Sequence, residues 1–202
     1  MDFLNFHDQR CIDILNQGEV LIFPTETVYG MGARFDLKKG FDRLVEIKKR
    51  PPEKPFTLMI SDLEQISSFA YLDENIKRVI NTFLPGEMTL ILKSKDTYPW
   101  VTLKQNTIGI RMSSSKKVID LINRVGVPLL VTSVNRSFKP PLNSIEEIVE
   151  EFKDENLYIV KDEAYLSKKP STIVSLIDDE IKLIRKGNID YQDILNVWRN
   201  NI

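Results

Sequence analysis

The chain has 202 residues, 42% of them apolar and 28% charged, which suits a single globular domain over 1–202 that is long enough to bury a core. Its net charge of −1 excludes a global basic field of the kind that advertises nucleic-acid binding. One cysteine, Cys11, excludes an internal disulfide and a cysteine-based metal cluster, and one histidine, His7, leaves histidine triads and histidine-rich metal sites without material.

Apolar positions over 3–15 predict a first helix ending at Gly18, with Cys11 on it as a small core residue. Val20 to Phe23 reads as a short buried strand stopped by Pro24. Tyr29-Gly30-Met31-Gly32 then reads as a turn. It is no dinucleotide fingerprint, because Phe35 stands where a third glycine is needed, and the chain contains no Walker lysine motif. Leu37 to Lys48 has helical spacing, with cations on its last turn where the helix dipole favours them. Thr57 to Ile60 is strand-like, Asp62 or Ser61 can cap the helix after it, and another helix follows Asp73. Met88 to Leu92 and Thr107 to Met112 are β-rich, and Ser113 to Ser115 cap a helix through Arg124. Leu129 to Thr132 is a strand, and Ser144 with Glu147 forms a capping box. Leu157 to Val160, Thr172 to Leu176 and Ile181 to Arg185 are late strands, the last two joined as a hairpin at Asp178-Asp179, before a terminal helix near Tyr191 to Arg199. Strands interleave with helices throughout. The expected class is therefore α+β, a layered α/β domain around one mixed sheet of about seven strands. The N-terminus has no basic leader followed by a long apolar run, and no apolar segment approaches membrane-spanning length, so the expected setting is the cytoplasm, away from membrane.

Charge is segregated despite the small net value. Residues 38–54 hold seven Lys/Arg against three acids, and residues 143–163 hold eight acids against two lysines. The basic part ends in Lys48-Lys49-Arg50-Pro51-Pro52-Glu53-Lys54-Pro55, which places four cations on a proline-stiffened loop. Ser133-Val134-Asn135 follows an apolar strand some eighty residues later. Together these are suitable parts for holding the phosphates of a nucleotide. Thr25 and Thr27 lie two apart after a buried strand, so in extended geometry they share a face, although ordinary turn chemistry explains them equally. In Thr107-Ile108-Gly109-Ile110-Arg111 the alternation sets Thr107, Gly109 and Arg111 against two core isoleucines. Arg111 is thereby shaped to fork onto a carboxylate or to make a structural ion pair. Ser171 precedes one late strand and Arg185 ends the next.

Taken in order, Pro24-Thr25-Glu26-Thr27-Val28-Tyr29-Gly30, Lys48-x-Arg50-Pro51-x-x-Lys54-Pro55, Pro85-Gly86-x-x-Thr89, Gly109-x-Arg111, Ser133-x-Asn135 and Arg185-x-Gly187 resemble the YrdC-like family of threonylcarbamoyl-adenylate synthases. The resemblance runs from about Leu21 to Gly187, as in short members without an extra C-terminal domain. It implies a twisted sheet with a concave cationic face. It also implies a nucleotidyltransferase that condenses L-threonine, bicarbonate and ATP to threonylcarbamoyl-AMP and pyrophosphate, for modification of the adenosine beside the anticodon in tRNA. Magnesium would come with the ATP. The implied partners are the proteins that transfer the threonylcarbamoyl group onward, with tRNA itself a candidate contact. By the family pattern Lys48 and Arg50 carry the catalysis. Arg50, Lys54, Thr107, Ser133, Asn135 and Arg185 take ATP, while Thr27, Arg111, Ser171 and the backbone near Val131 take threonine. Fixed cations can screen two anions and stabilise departing pyrophosphate without a histidine base, because the deprotonated threonine amine is itself the nucleophile toward carbon dioxide or bicarbonate.

The chain departs from that pattern in places. Phe138 stands where glycine is frequent in the family after Ser-x-Asn-x-Ser, and Met59 stands where longer members often have histidine. Phe56-Thr57-Leu58-Met59 is similar to a sister branch without a settled activity. That branch lacks the paired Lys-x-Arg and Ser-x-Asn, both of which this chain has. The alternatives are an RNA-binding module of the same fold, or a family member with altered substrate. The first is opposed by the sparse aromatic content of 38–54, where only Phe41 occurs and its helical phase points to core.

Overall fold

A computed structural model describes residues 1–51, 54–162 and 166–199, so Pro52 and Glu53 of the basic loop and Glu163 of the acidic stretch lie outside the described residues. The strands are β1 (Asp2–Leu4), β2 (Leu21–Pro24), β3 (Tyr29–Arg34), β4 (Thr57–Ile60), β5 (Met88–Lys93), β6 (Thr107–Met112), β7 (Leu129–Ser133), β8 (Tyr158–Val160), β9 (Thr172–Ile177) and β10 (Glu180–Arg185). They form one twisted, unclosed sheet of ten strands in the order β1-β8-β2-β3-β7-β4-β6-β5-β9-β10. The helices are α1 (Arg10–Asn16), α2 (Lys38–Lys48), α3 (Ile66–Phe69), α4 (Glu74–Phe83), α5 (Pro99–Thr102), α6 (Lys116–Val125), α7 (Ile145–Glu151) and α8 (Tyr191–Trp198). The sheet is mixed, as expected. β8 pairs in parallel with β1 and β2, β4 with β6, and β5 with β9, and the remaining neighbours are antiparallel.

The strand count exceeds the expected seven, and two of the added strands lie where other structure was expected. Residues 2–4 form the edge strand β1 rather than the start of a helix, and α1 begins only at Arg10. Tyr29–Arg34 is strand β3 rather than a turn. Its glycines weaken intrinsic strand preference, but Gly30 and Gly32 stand opposite Phe23 and Leu21, and a Cβ on Gly32 would come within 3.0 Å of the Phe23 ring. Gly32 makes room for the ring, Gly30 makes room for the Val131 side chain, which a Cβ there would meet at 3.1 Å, and packing overrides propensity. Ser115 stands at the N-cap of α6 without a side-chain capping bond, and α5 was not expected, but other local signals hold. Ser144 and Glu147 form both halves of the capping box, Asp73 caps α4, and Asp62 caps the short 3-10 turn Leu63–Gln65. Asp178 and Asp179 both take positive φ (55° and 57°) in the hairpin turn between β9 and β10.

Strand alternation divides the residues between the two faces of the sheet. One face, with Ile22, Met31, Leu58, Ile60, Leu90, Ile108, Ile110, Leu130 and Val174, packs into the larger core with residues of α2, α4, α7 and α8. On the other face Leu21, Phe23, Leu129 and Val131 pack beneath α1 and α6. That cover stops part-way across the sheet, where Met59 of β4 marks its margin. Over β6, β5 and β9 the same face presents Thr107, Gly109, Arg111, Thr89 and Ile91, with Ile173 of β9, to an open concavity. Among the described residues no helix is long and apolar enough to cross a membrane.

The end of β10 is locked to the start of β9 by Gly187. Its amide donates to Thr172 Oγ1 at 3.0 Å, and a Cβ there would lie 2.3 Å from the Thr172 nitrogen and 2.7 Å from the Pro170 oxygen. Those neighbours are backbone and cannot swing aside. Gly187→Ala should therefore cost about 2–3 kcal/mol in urea unfolding. Gly126→Ala should cost only about 1 kcal/mol, since that residue has φ 81° and open space around it. Equal costs at the two positions would contradict this account of the packing.

Candidate active site

The concavity is a cavity of about 340 Å³, within the range of small-molecule sites. Its floor is the polar face of β4, β5, β6, β7 and β9. Its rim is the β2–β3 turn, the loop after α2, the loop after β7 and the segment before β9. Lys48, Arg50, Lys54, Thr107, Ser133, Asn135 and Arg185 line it, and so do Thr27, Arg111, Val131 and Ser171. Residues chosen from motifs scattered over the chain thus meet around one space. His7 lies outside it. Cys11 is fully buried in the core under α1, and burial pushes its thiol up to about 11, which makes it inert.

Lys48 is not an open cation on a loop, as its basic neighbours suggest. It is the last residue of α2 and only 2% exposed. The helix ends in a Schellman motif with Lys49, rather than glycine, in the left-handed region (φ 49°). Lys49 N–H donates to Glu46 O at 3.1 Å and Arg50 N–H to Val45 O at 3.0 Å. This reversal turns Lys48 inward and carries Arg50 over the cavity. Lys48 Nζ donates to Ser133 O at 2.7 Å and to Asn135 Oδ1 at 2.9 Å. Ser133 Oγ donates to the same Asn135 Oδ1 at 2.7 Å, and Asn135 Nδ2 holds the carbonyls of Arg136 and Lys139 at 2.8 and 2.7 Å. Lys48 of the Lys-x-Arg motif and the Ser-x-Asn motif are therefore one hydrogen-bonded unit, with Arg50 beside it. None of these partners is a carboxylate. Burial, and then the charge of Arg50, pull the Lys48 amine down to about 7. Arg50 braces its own loop, with Nε donating to Lys54 O at 2.9 Å, Nη2 to Pro55 O at 2.7 Å, and the guanidinium lying 4.7 Å from the centre of the Phe56 ring.

At the other end of the cavity Arg111 is 7% exposed, and its Nη2 donates to Glu26 Oε1 at 2.7 Å and Thr27 Oγ1 at 2.8 Å. Ser113 Oγ donates to the second oxygen of Glu26, while Arg111 Nε is buried with no hydrogen-bond partner. The sequence offered Arg111 as a carboxylate fork or as half of an ion pair. The structure supplies the ion pair, with an acid that sequence reasoning did not single out. Thr25 and Thr27 do bring their hydroxyls together, at 3.0 Å, but through the tight turn closing β2 on β3 rather than through extended chain. Ser171 Oγ meets Thr89 Oγ1 at 2.8 Å and accepts from Arg185 Nη2 at 3.1 Å. Arg185 was assigned to the ATP side and Ser171 to the threonine side, and in the structure the two sets join here. Partial desolvation, followed by the charge of nearby Arg111, lowers the Arg185 guanidinium from its usual range. Such a pair of arginines would be eased by an anion between them. Thr89 is a member of this cluster that sequence reasoning did not single out, although its place in Pro85-Gly86-x-x-Thr89 and its alternation against Leu90 are signals for it.

A family model, Sua5_yciO_yrdC, described as "Telomere recombination", matches residues 13–187. The chain belongs to this family. A Methanocaldococcus jannaschii protein provisionally named a threonylcarbamoyl-AMP synthase is 35% identical over 182 residues, covering 90% of this chain and 86% of that protein. The Bacillus subtilis threonylcarbamoyl-AMP synthase is 33% identical over 90% of this chain, which spans 53% of that protein. Escherichia coli YciO, named as uncharacterized, is 30% identical over 92% of this chain and 91% of its own. Among solved structures, P. abyssi Sua5 complexed with L-threonine superposes with a TM-score of 0.90 at 26% identity over 98% of this chain, which spans 61% of that one.

The low value for Lys48 gives a stability signature with a definite sign. In the unfolded chain a lysine keeps its proton up to about 10.5, and in the folded chain Lys48 releases it near 7. Between those values the unfolded state binds more protons, so this group makes folding more favourable as pH rises. Stability of the wild type relative to Lys48→Met should accordingly climb between pH 7 and 10, by at most about 1.4 kcal/mol per pH unit. A difference between the two proteins that stays flat over this range would place an ordinary charged lysine at position 48.

Proposed function

We propose that this chain is an L-threonylcarbamoyladenylate synthase, a nucleotidyltransferase that joins L-threonine, bicarbonate and ATP and releases pyrophosphate. The observation that carries the reading is the single unit formed by Lys48, Ser133 and Asn135 beside Arg50, opposite the cluster of Arg111, Thr27 and Ser171 in the same cavity. The named activity of the Bacillus subtilis relative and the threonine complex of P. abyssi Sua5 support it. Both proteins are longer than this chain, so the activity is proposed for the shared domain. The similarity to YciO pulls toward the sister branch, and the intact Lys-x-Arg and Ser-x-Asn pair favours the synthase.

In this reading the threonine carboxylate lies against Arg111, Thr27 and Ser171 and supplies the partner that Arg111 Nε lacks. Glu26 holds the guanidinium in place, so that the fork is oriented before substrate arrives. The threonine amine, once deprotonated, attacks the carbon of bicarbonate with loss of water, or adds to carbon dioxide with loss of a proton, and a carbamate forms. A carbamate oxygen attacks the α-phosphorus, and the bond to the β-phosphate oxygen breaks. Lys48, Arg50 and Lys54 act on the phosphates, where they screen the approach of two anions and stabilise pyrophosphate as it leaves. Ser133, Asn135, Thr107 and Arg185 hold the rest of the nucleotide. Magnesium carried in by ATP would offset triphosphate charge, and the part proposed for this chain's own residues is the cationic wall of Lys48, Arg50 and Lys54. The product is a labile mixed anhydride, handed in the cytoplasm to proteins that transfer the threonylcarbamoyl group to tRNA.

Pyrophosphate release should require ATP, threonine and bicarbonate together, which is tested by leaving out each in turn. In the same assay Arg50→Ala should reduce the rate by roughly a hundredfold or more, the loss expected for a cation that acts on developing phosphate charge. Release that persists without threonine, or full activity in a folded Arg50→Ala protein, would refute the proposal.

A further inference from the structure

Phe138 has no role in either core. It is 81% exposed, more than any other large apolar side chain among the described residues, and it lines the nucleotide end of the cavity three residues beyond Asn135. Its backbone has φ 69°, a left-handed conformation that a bulky residue rarely adopts. The loop that carries it is firmly held. Asn135 Nδ2 bonds the carbonyls on either side of it, at Arg136 and Lys139, and Ser137 N–H donates to Lys48 O at 2.9 Å. A strained backbone, fixed by its neighbours, presents an aromatic ring to solvent at the cavity mouth. Strain that is held in place by surrounding structure points to function.

The face of the ring is covered by a cation. Lys54 Nζ lies 4.2 Å from the ring centre, and among the described residues this ammonium has no hydrogen-bond or ion-pair partner. Arg50, by contrast, is tied to two carbonyls as well as to Phe56. Lys54 is therefore the movable member of the cationic set, resting on a ring that is a weaker partner for it than a phosphate.

We propose that Phe138 is a base-stacking residue. The purine ring of the bound nucleotide lies on its face, and Lys54, which covers that face in the free protein, moves to the phosphates. One exchange replaces a cation–ring contact with two better ones, a ring on a base and an ammonium on a phosphate. This inference rests on the synthase reading for its ligand and adds a residue that the Ser-x-Asn motif does not contain.

The test compares two probes by calorimetric titration, a non-hydrolysable ATP analogue and inorganic tripolyphosphate, on wild type, Phe138→Gly and Phe138→Trp. Phe138→Gly relieves the backbone, so its melting temperature should hold or rise. Its Kd for the ATP analogue should increase about tenfold, the loss expected of one base–aromatic stack, while its Kd for tripolyphosphate stays the same or falls. Phe138→Trp should keep the nucleotide affinity of the wild type. If Phe138→Gly leaves both affinities unchanged, or weakens both by the same factor, the stacking role is overturned while nucleotide binding stands. If the wild type binds no ATP analogue, the synthase reading falls and the stacking assignment falls with it.

Discussion

The site depends on one buried amine. Lys48 Nζ sits between Ser133 O and Asn135 Oδ1, and this contact joins the end of α2 to the exit of β7 across 85 residues of chain. A buried ammonium without a carboxylate is costly, and the amine meets that cost by giving up its proton near neutrality. A neutral amine has two N–H groups, and the two acceptors use both of them. Under the proposed function, a phosphate beside it would favour the charged form and draw a proton onto its lone pair.

Unequal cover on the sheet creates the space around that amine. α1 and α6 seal one half of a face over Phe23, Leu129 and Val131, and the other half is left to threonines, Gly109 and Arg111. On the opposite face Ile108 and Ile110 of the same strand are in the core, so the functional side chains stand on a rigid base. Arg111 shows how such a base orients a side chain: Glu26 and Thr27 accept from its guanidinium, and Ser113 holds Glu26.

How much of this was legible in the sequence depended on the range of the interaction. The alternation of Thr107, Gly109 and Arg111 against two isoleucines, the Ser144–Glu147 box and the Asp178-Asp179 turn are local patterns, and all were readable. β3 was not, because the reason for Gly32 is the ring of Phe23 on one neighbouring strand and the reason for Gly30 is the Val131 side chain on the other. The burial of Lys48 was hidden by Lys49, which takes a left-handed helix end where glycine is the usual signal. The set of residues around the cavity was found from spaced motifs. What those motifs could not show was who holds whom. Glu26 on Arg111, Arg185 on Ser171 and Lys54 over Phe138 are long-range pairings that only the folded sheet brings together.

If ATP occupies the cavity as proposed, the charge on Lys48 should follow it, and nucleotide binding should be accompanied by proton uptake. Titrating the protein at pH 8 with a non-hydrolysable ATP analogue, in buffers of different ionisation enthalpy, counts the protons that accompany binding. Lys48 is mostly neutral at that pH in the free protein and should become charged beside the triphosphate, so uptake should approach about one proton and vanish in Lys48→Met. Binding heats that do not vary with buffer, or an uptake that Lys48→Met retains, would contradict the account.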